Sequence, residues 1–169
     1  MRFTTVALAA GVVAGLMAGG RLSNLGRRTF SAWPLLAVGV ALQLLSSPAS
    51  LTWSYVFLLL FATANLRTPG MGLLATGLAL NALVVGVNGG MPVHGGDPWL
   101  SGKHHMETSA DRLTFLDDRI PVDVLGEVLS FGDLVLAVGL VVTMAALVRK
   151  PPEGRHAQLA DESAGPRLR

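Results

Sequence analysis

The sequence predicts an all-α integral membrane protein, a bundle of five transmembrane helices with an ordered extracytoplasmic loop. Hydrophobic residues make up 51% of the 169 residues and charged residues only 14%, whereas a soluble domain carries about a quarter charged residues. The first acidic residue is Asp97, so the preceding half of the chain has only arginines as charged residues. Both observations indicate a chain whose helices lie in lipid.

Five apolar stretches form the predicted spans. Each has roughly the length needed to cross the hydrocarbon core at about 1.5 Å per residue, although all are at the short end. Together they predict a transmembrane domain over residues 1–148 and a disordered, solvated tail over residues 149–169, which begins near two prolines and has few large apolar groups. The spans are Phe3 to Gly20, Phe30 to Leu45, Leu51 to Leu66, Met71 to Val87 and Phe131 to Val148.

The arginines between the spans predict the orientation of the chain. Arg21, Arg27 and Arg28 follow the first span, and Arg67 follows the third. Short cytoplasmic loops carry an excess of Lys and Arg. The sequence therefore predicts a multi-pass protein of the cell membrane with its N-terminus outside, its C-terminus in the cytoplasm and the loop 88–130 outside.

The first span contains three glycines at four-residue spacing, Gly11, Gly15 and Gly19. Glycines at this spacing share one helix face and allow another helix to approach closely. A first interpretation is packing within the chain, which we favour because this pattern is common in apolar segments. The alternative is a homo-oligomer that forms through the same face.

Several classes of function are excluded by composition and motifs. The chain has no cysteine, and its net charge of +2 comes from basic residues at segment ends rather than from a basic stripe, so we expect no nucleic-acid partner. No phosphate-binding loop, serine triad or dinucleotide fingerprint is present, and we predict no cofactor. His94, His104, His105 and Glu107 suit zinc by type. Their spacing is unlike known motifs and adjacent histidines point apart, so we predict no metal.

The loop from residue 88 begins with an abrupt helix exit. Asn88 precedes Gly89-Gly90 and Pro92, which supply unusual dihedrals and a fixed turn, and Asn88 can line an outward site or simply bond a neighbouring helix. Thr108 to Asp111 resembles a capping box, which predicts a short helix carrying Leu113 and Leu116. The apolar alternation over residues 120–125 predicts an element at the membrane interface.

The last span begins with Ser130-Phe131-Gly132-Asp133, for which two roles are open. Ser130 and Asp133 can cap the helix, with the carboxylate at the positive end of its dipole. Alternatively, Asp133 and Asp118 form an acid/base pair, in which one carboxylate activates water and the other acts as the acid. The capping role is sufficient on its own, and we favour it.

Two function classes follow for the loop 88–133. The first is binding of a lipid headgroup or a membrane-protein partner at the external face, through Asn88, Lys103, His104, His105 and Arg119. Lys103, Arg112 and Arg119 would then hold a lipid phosphate beside an open helix end. The second is a membrane-embedded aspartyl-type hydrolase that uses Asp118 and Asp133 as catalytic residues.

Four motifs carry a resemblance to a family of small bacterial multi-span membrane proteins that is classed only as a domain of unknown function. The motifs are Asn88 to Val93, Lys103 to His105, Phe115 to Pro121 and Ser130 to Asp133. This resemblance implies the multi-span fold but no activity.

A second similarity is to the lipoprotein signal peptidases, small aspartic proteases whose catalytic aspartates lie in an Asp-Arg motif and in a motif that opens the last span. Asp118-Arg119 and Phe131-Gly132-Asp133 are similar to these motifs. Leu116-Asp117 and the single Gly132 depart from that pattern. The similarity implies catalytic roles for Asp118 and Asp133.

Overall fold

The structure, a computed structural model, describes residues 2–27, 29–95 and 103–149. All but the first residue of the predicted disordered tail lies outside the described residues. Five α-helices account for most of the described chain. They are α1 (Arg2–Met17), α2 (Trp33–Gln43), α3 (Pro48–Ala64), α4 (Met71–Asn88) and α5 (Phe131–Val148).

Each predicted span contains one helix, but the bounds of α2 differ. The apolar stretch from Phe30 to Leu45 gives a helix of only 11 residues. Ala32 adopts a left-handed conformation with φ 54°, and Pro34 in the first turn fixes where the helix starts. The predicted span is longer than α2 because turns of the backbone, rather than polar residues, determine where the helix starts and ends.

Helices α4 and α5, each of 18 residues, are long and apolar enough to cross a membrane by length and composition. The remaining three are apolar but shorter, at 16, 11 and 17 residues. The described chain is thus mostly helical with two membrane-capable helices, and insertion of all five stays a prediction.

The helices pack as a row in the order α2, α3, α4, α5, α1. Glycines bring neighbouring helices together. A Cβ on Gly11 would lie 2.6 Å from the Cβ of Met144, and one on Gly77 would lie 2.7 Å from the carbonyl oxygen of Gly132. Contacts this close have room only for glycine. The helices therefore meet nearly backbone to backbone, α1 parallel to α5 and α4 antiparallel to it.

The predicted packing role of the first-span glycines is confirmed for two of the three. Gly11 and Gly15 contact Met144 and Val148 of α5 in the same chain, whereas Gly19 lies in a turn with φ 80° and no neighbour within 4 Å. The faces of Gly11 and Gly15 are thus occupied within the chain. A homo-oligomer stays a prediction, and these two positions are not available for it while α1 packs on α5.

The two ends of the bundle differ in charge. One end, here called the arginine end, carries Arg21, Arg27, Arg67 and Arg149, and the amide of Arg21 donates to the Val148 carbonyl at 2.9 Å. The opposite end, called the loop end, carries residues 89–95 and 103–130 and, among the described residues, all the carboxylates. Helix α1 starts at the loop end, where the amide of Arg2 donates to Glu127 at 2.7 Å.

Two small sheets cover the loop end. Strand β1 (Met91–Val93) pairs in parallel with β2 (His104–Met106), and β3 (Ile120–Val122) pairs with β4 (Glu127–Leu129) as an antiparallel hairpin. The predicted interfacial element at residues 120–125 is thus one strand and the turn of this hairpin. The apolar alternation indicates the element that contains β3, but no sequence pattern indicated that β4 would pair with it.

The short helix predicted after Thr108 is wrong. The Thr108 amide does donate to Asp111 at 2.7 Å, as in a capping box, but only a turn follows. Leu113 takes a left-handed conformation with φ 57°, and one turn of 3-10 helix covers Thr114–Leu116. A left-handed residue cannot continue an α-helix, so the local motif does not propagate.

Candidate functional site

A cavity of about 740 Å³ lies at the loop end, between α1 and α3 and over α5. Its polar lining comes from the loop and from the first turns of α5, and its apolar lining extends along α5. The polar residues include Lys103, His104, Asp118, Arg119 and Asp133, and the apolar residues include Phe3, Leu51, Leu136, Ala137 and Leu140. The two candidate catalytic aspartates therefore line the same space.

Asp118 is fixed by the backbone on both sides. Its amide donates to the Pro92 carbonyl at 3.1 Å, and its carbonyl accepts from the His94 amide at 2.8 Å, so it adds a further strand-like pairing to β1. Strand β1 is itself buried along its whole length. The carboxyl group of Asp118 is consequently held in place from the core, and only 6% of the residue is exposed.

The carboxyl group of Asp118 lies in an environment that disfavours its charge. Burial, followed by the nearby charges of Asp133 and Asp117, raises the pKa of Asp118 to about 8. Within the described residues its Oδ1 is buried with no hydrogen-bond partner, and the closest approach to His104 is 3.6 Å, from Oδ2 to Nε2. At neutral pH this carboxyl is mostly protonated and can act as an acid.

Asp133 has the capping role that its sequence position predicts. The Ser130 hydroxyl accepts from the Asp133 amide at 3.0 Å, and the Asp133 carboxylate accepts from the Ser130 amide at 3.1 Å, which completes a capping box. Asn81 of α4 donates to the other carboxylate oxygen at 2.7 Å. The carboxylate also lines the cavity, so capping and a role in the cavity are compatible.

Asn81 joins the two helices beneath the cavity. Its Oδ1 accepts from the Ser130 hydroxyl at 3.0 Å, and it is 1% exposed. The carboxamide of Asn81 on α4 thus bonds the first turn of the neighbouring helix α5. Because Asn81 bonds both members of the capping box, it also orients the Asp133 carboxylate.

Arg119 is engaged by carboxylates other than Asp118. Its Nε donates to Asp117 at 2.6 Å and its Nη2 at 3.1 Å, and Glu107 lies 3.5 Å away. Such a two-pronged pair fixes the guanidinium plane. Asp117, which is fully buried, therefore serves to hold Arg119 at the rim of the cavity.

The histidines of the loop face three different carboxylates. His94 lies 2.5 Å from Glu107, His105 lies 2.9 Å from Asp111, and His104 faces Asp118. Adjacent His104 and His105 alternate along β2 and so point apart. In the ranges that the structure describes, no three His, Asp or Glu side chains come together as metal ligands.

The predicted binding residues do not form one site. Lys103 and His104 line the cavity together with Arg119, and Lys103 donates to the Gln43 carbonyl at the end of α2. His105 pairs with Asp111 instead. Asn88 bonds the backbone of Arg112 at 2.8 and 2.9 Å, so it ties α4 to the loop and has a structural role.

Three cavity contributors were not singled out from the sequence as site residues. Tyr55 of α3 lines the cavity and is 8% exposed, and Glu127 joins the hairpin to α1. Asp117 orients Arg119. Tyr55 is the only tyrosine of the chain and lies inside an apolar stretch, which is a usable signal for a polar site.

The environments of Asp118 and Asp133 differ in the way that an acid and a base acting together require. One carboxyl group is buried and neutral, whereas the other accepts two hydrogen bonds at the positive end of a helix dipole. Burial and the Lys103 ammonium lower the pKa of His104, so the imidazole is mostly neutral at pH 7. The cavity can thus bind polar groups, exchange protons with them, and hold an apolar group further along α5.

Comparison with known proteins gives a family but no activity. Residues 28–145 match the model of a family of unknown function, DUF5317. An uncharacterised protein of Thermotoga maritima is 34% identical over 135 residues, which cover 73% of this chain and 79% of that protein. No solved structure matches the chain. The matched segment includes α2, α3 and α4, most of α5 and the whole cavity loop, and the chain belongs to the DUF5317 family of unknown function.

Proposed function

We propose that this protein is a five-span protein of the cell membrane that binds a lipid-like amphiphile in the loop-end cavity, which opens to the outside. The N-terminus then lies outside and the C-terminus in the cytoplasm. The helices alternate in direction along the chain, as five consecutive spans require. This proposal covers the bilayer, the topology and the ligand.

The surface of the helices supports the membrane part of the proposal. Large apolar side chains are exposed on all five helices, where a soluble bundle would present charged residues. In lipid the same side chains would be in a favourable medium. Exposed examples are Val6, Val13, Trp33, Val40, Trp53, Leu60, Leu73, Leu83, Val138 and Val142.

The distribution of charge supports the orientation. The arginine end carries Arg21, Arg27, Arg67 and Arg149, and among the described residues no carboxylate lies there. An excess of basic residues in short connections marks the cytoplasmic side. The loop end would then face outwards, together with the opening of the cavity.

The observation that carries the ligand proposal is the amphipathic lining of one cavity. Asp133 lies at its polar end, whereas Leu136, Ala137 and Leu140 follow down the same helix. Leu140 is two helical turns from Asp133, which is about 10 Å at 1.5 Å per residue. A lipid would fit both parts of this lining, because its headgroup would lie among the polar residues and its hydrocarbon chain along α5.

A bulky residue in the apolar part of the cavity tests this proposal. In Ala137→Trp the indole would fill the space along α5, whereas Val138→Trp adds the same indole on the exposed side of the same helix, where Val138 is 54% exposed. Both variants would be purified in detergent and their retained lipids counted by native mass spectrometry.

We expect about one retained amphiphile per wild-type chain. Ala137→Trp should lose it, and Val138→Trp should keep it. Equal lipid retention in the two folded variants would contradict the proposal, because the cavity would then not be the binding site.

A second candidate function, a membrane-embedded aspartyl hydrolase, is favoured by the neutral Asp118 beside Asp133. Asp133 would take a proton from a water molecule whose oxygen attacks a carbonyl carbon. Asp118 would give its proton to the leaving group as the bond to it breaks, and a proton transfer between the two carboxyl groups would restore the site. The resemblance of Asp118-Arg119 and Phe131-Gly132-Asp133 to the motifs of the lipoprotein signal peptidases, which rests on the sequence alone, points to the same two residues.

Hydrolysis is tested with wild-type protein and total membrane lipid and lipoprotein substrates, with products identified by mass spectrometry. Asp118→Asn and Asp133→Asn should each abolish product formation in a folded protein, and the double variant should be no worse than either one. Product formation that survives in either variant would contradict this function.

A further inference from the structure

We infer that the headgroup bound in the loop-end cavity carries a primary ammonium group beside Asp118 and Asp133, and a phosphate beside Lys103. The ligand class is a phospholipid with an aminoalkyl headgroup. This inference rests on the proposed function, since it specifies the ligand of the same cavity. Within the described part of the chain, no Lys or Arg side chain is paired with the carboxyl groups of Asp118 and Asp133, although Lys103 and Arg119 line the same cavity.

The first step is the unpartnered oxygen of Asp118. Asp118 is 6% exposed, and its Oδ1 has no hydrogen-bond partner among the described residues. A buried polar atom left unpaired is destabilising, so such an atom in a ligand cavity indicates a missing donor. Primary ammonium groups offer three N–H donors and a positive charge.

The second step is the charge balance around the two aspartates. Asp133 lies close enough for its charge to disfavour ionisation of Asp118, as does Asp117. The cations of the loop are engaged elsewhere: Arg119 bonds Asp117, and Lys103 bonds the Gln43 carbonyl. A bound cation between Asp118 and Asp133 would remove their repulsion.

The third step is that the lining offers few ligands for zinc or calcium as that cation within the part of the chain that is described. Zinc and calcium sites usually take three or more protein ligands, and no group of three His, Asp or Glu side chains occurs here. His104 is the nearest further candidate, but its Nε2 is 3.6 Å from Asp118. An organic ammonium ion needs hydrogen-bond acceptors rather than a coordination sphere.

The fourth step is Lys103, which lines the same cavity. Its ammonium has three donors, one of which is used by the Gln43 carbonyl, and burial lowers its pKa. A phosphate next to Lys103 would supply an anion for this buried ammonium. The cavity lining thus complements a zwitterion: acceptors at Asp118 and Asp133, and a donor at Lys103.

The experiment titrates the full-length protein in detergent with dihexanoyl phospholipids and measures affinity by calorimetry. The probes are phosphatidylethanolamine, phosphatidylcholine, phosphatidylglycerol and dihexanoylglycerol. Phosphatidylcholine is the matched control, since it has the same charges but no N–H donor. We expect phosphatidylethanolamine to bind roughly 10- to 100-fold more tightly than phosphatidylcholine.

Variants of Asp118 and Lys103 test which residue binds the ammonium group of the lipid and which binds its phosphate. Asp118→Asn should reduce the affinity for phosphatidylethanolamine to that for phosphatidylcholine, and the rim variant Asp123→Asn should not. Lys103→Gln should weaken all three phospholipids alike and leave dihexanoylglycerol unchanged. A readout separate from affinity is proton release: at pH 7 an ammonium ion would displace the proton of Asp118, which two buffers of different ionisation enthalpy detect.

His104, Asp117 and Asp133 also face Asp118, so Asp118→Asn is the variant that assigns the released proton. Equal affinities for phosphatidylethanolamine and phosphatidylcholine, or a preference that survives Asp118→Asn, would overturn the inference. If all four probes bind alike and Ala137→Trp blocks them, the headgroup inference fails but the proposed function stands. If none binds, or Ala137→Trp blocks nothing, the proposed function fails as well.

Discussion

The two ends of the bundle differ in how their helices pack. Towards the arginine end, glycines let α1, α4 and α5 meet closely, with Gly15 beside Val148 and Gly70 beside Gly139. At the loop end α1 and α3 are apart, and polar side chains line the space between them. The difference shows that glycines bring α1, α4 and α5 into close contact, including Gly77 beside Gly132 near the loop end, whereas the loop end in addition keeps a cavity between α1 and α3 that Asp118 and Asp133 line.

The largest expected effect comes from Gly132, where close packing meets the cavity. A Cβ there would lie 1.9 Å from Asn81 Oδ1. In Gly132→Ala the Asn81 carboxamide must move, which breaks its bonds to Ser130 and Asp133 and separates α4 from α5. We expect a cost of about 3 kcal/mol or more and little folded protein, measured by thermal unfolding and size-exclusion chromatography.

The matched control is Gly86→Ala on α4, where an added Cβ meets nothing within 4 Å. There alanine should be neutral or stabilise by up to about 1 kcal/mol. If Gly132→Ala is as stable as Gly86→Ala, α4 and α5 do not meet as described.

The positions of the five helices could be predicted because apolar runs interrupted by Arg and Pro mark helix positions whatever the packing. The capping box was also predictable, since Ser130 and Asp133 act within one helical turn. The sequence predicts Lys103 and His104 as binding residues. Their position in one cavity, however, requires β1 to pair with β2, and these strands are separated in the sequence. No local signal specifies that pairing.

Long-range contacts determine what local patterns could not predict. The binding role of Asn88 stays a prediction, and its hydrogen bonds to the backbone of Arg112 depend on the path of the whole loop. The helix predicted from Thr108 fails because Asp111 also bonds His105 and Leu113 turns left-handed. Asp117 and Asp118 are neighbours in sequence with opposite roles, which only burial and the position of Arg119 distinguish.

A gradual effect, smaller than that of Gly132→Ala over any single pH unit, should appear in the dependence of stability on pH. Because the pKa of Asp118 rises from 3.8 to about 8 on folding, the folded protein keeps a proton that the unfolded chain releases. The contribution of Asp118 to stability should therefore fall as the pH rises from about 4 to about 8, by at most about 1.4 kcal/mol per pH unit, whereas His104, whose pKa is lowered, contributes in the opposite direction below about pH 6.5. Thermal unfolding in detergent across this window measures the slope.

Asp118→Asn should flatten this slope and be more stable than wild type at pH 8. The neighbouring variant Asp117→Asn should instead destabilise the protein throughout the window, because it removes acceptors for Arg119. An Asp118→Asn variant with the wild-type slope would contradict a buried neutral Asp118.

The smallest expected effect is a difference in stability between variants of the two capping-box residues. Ser130→Ala loses both the cap to Asp133 and the hydrogen bond to Asn81, and should cost about 1 to 2 kcal/mol. Asp133→Asn keeps the shape and should cost about 1 kcal/mol or less. Chemical unfolding with the exposed Ser109→Ala as reference measures both. A larger cost for Asp133→Asn than for Ser130→Ala would mean that the charge, not the cap, stabilises this end.

The most direct test of the central claim, that the loop end faces outwards and the arginine end faces the cytoplasm, uses the absence of cysteine from the chain. Val124→Cys would place a single thiol at the hairpin tip, where Val124 is 95% exposed, and Ser23→Cys would place one at the exposed arginine end. Intact cells would be treated with a membrane-impermeant maleimide. We expect labelling of Val124→Cys in intact cells and of Ser23→Cys only after permeabilisation; labelling of Ser23→Cys in intact cells, or equal labelling of both, would contradict the claim.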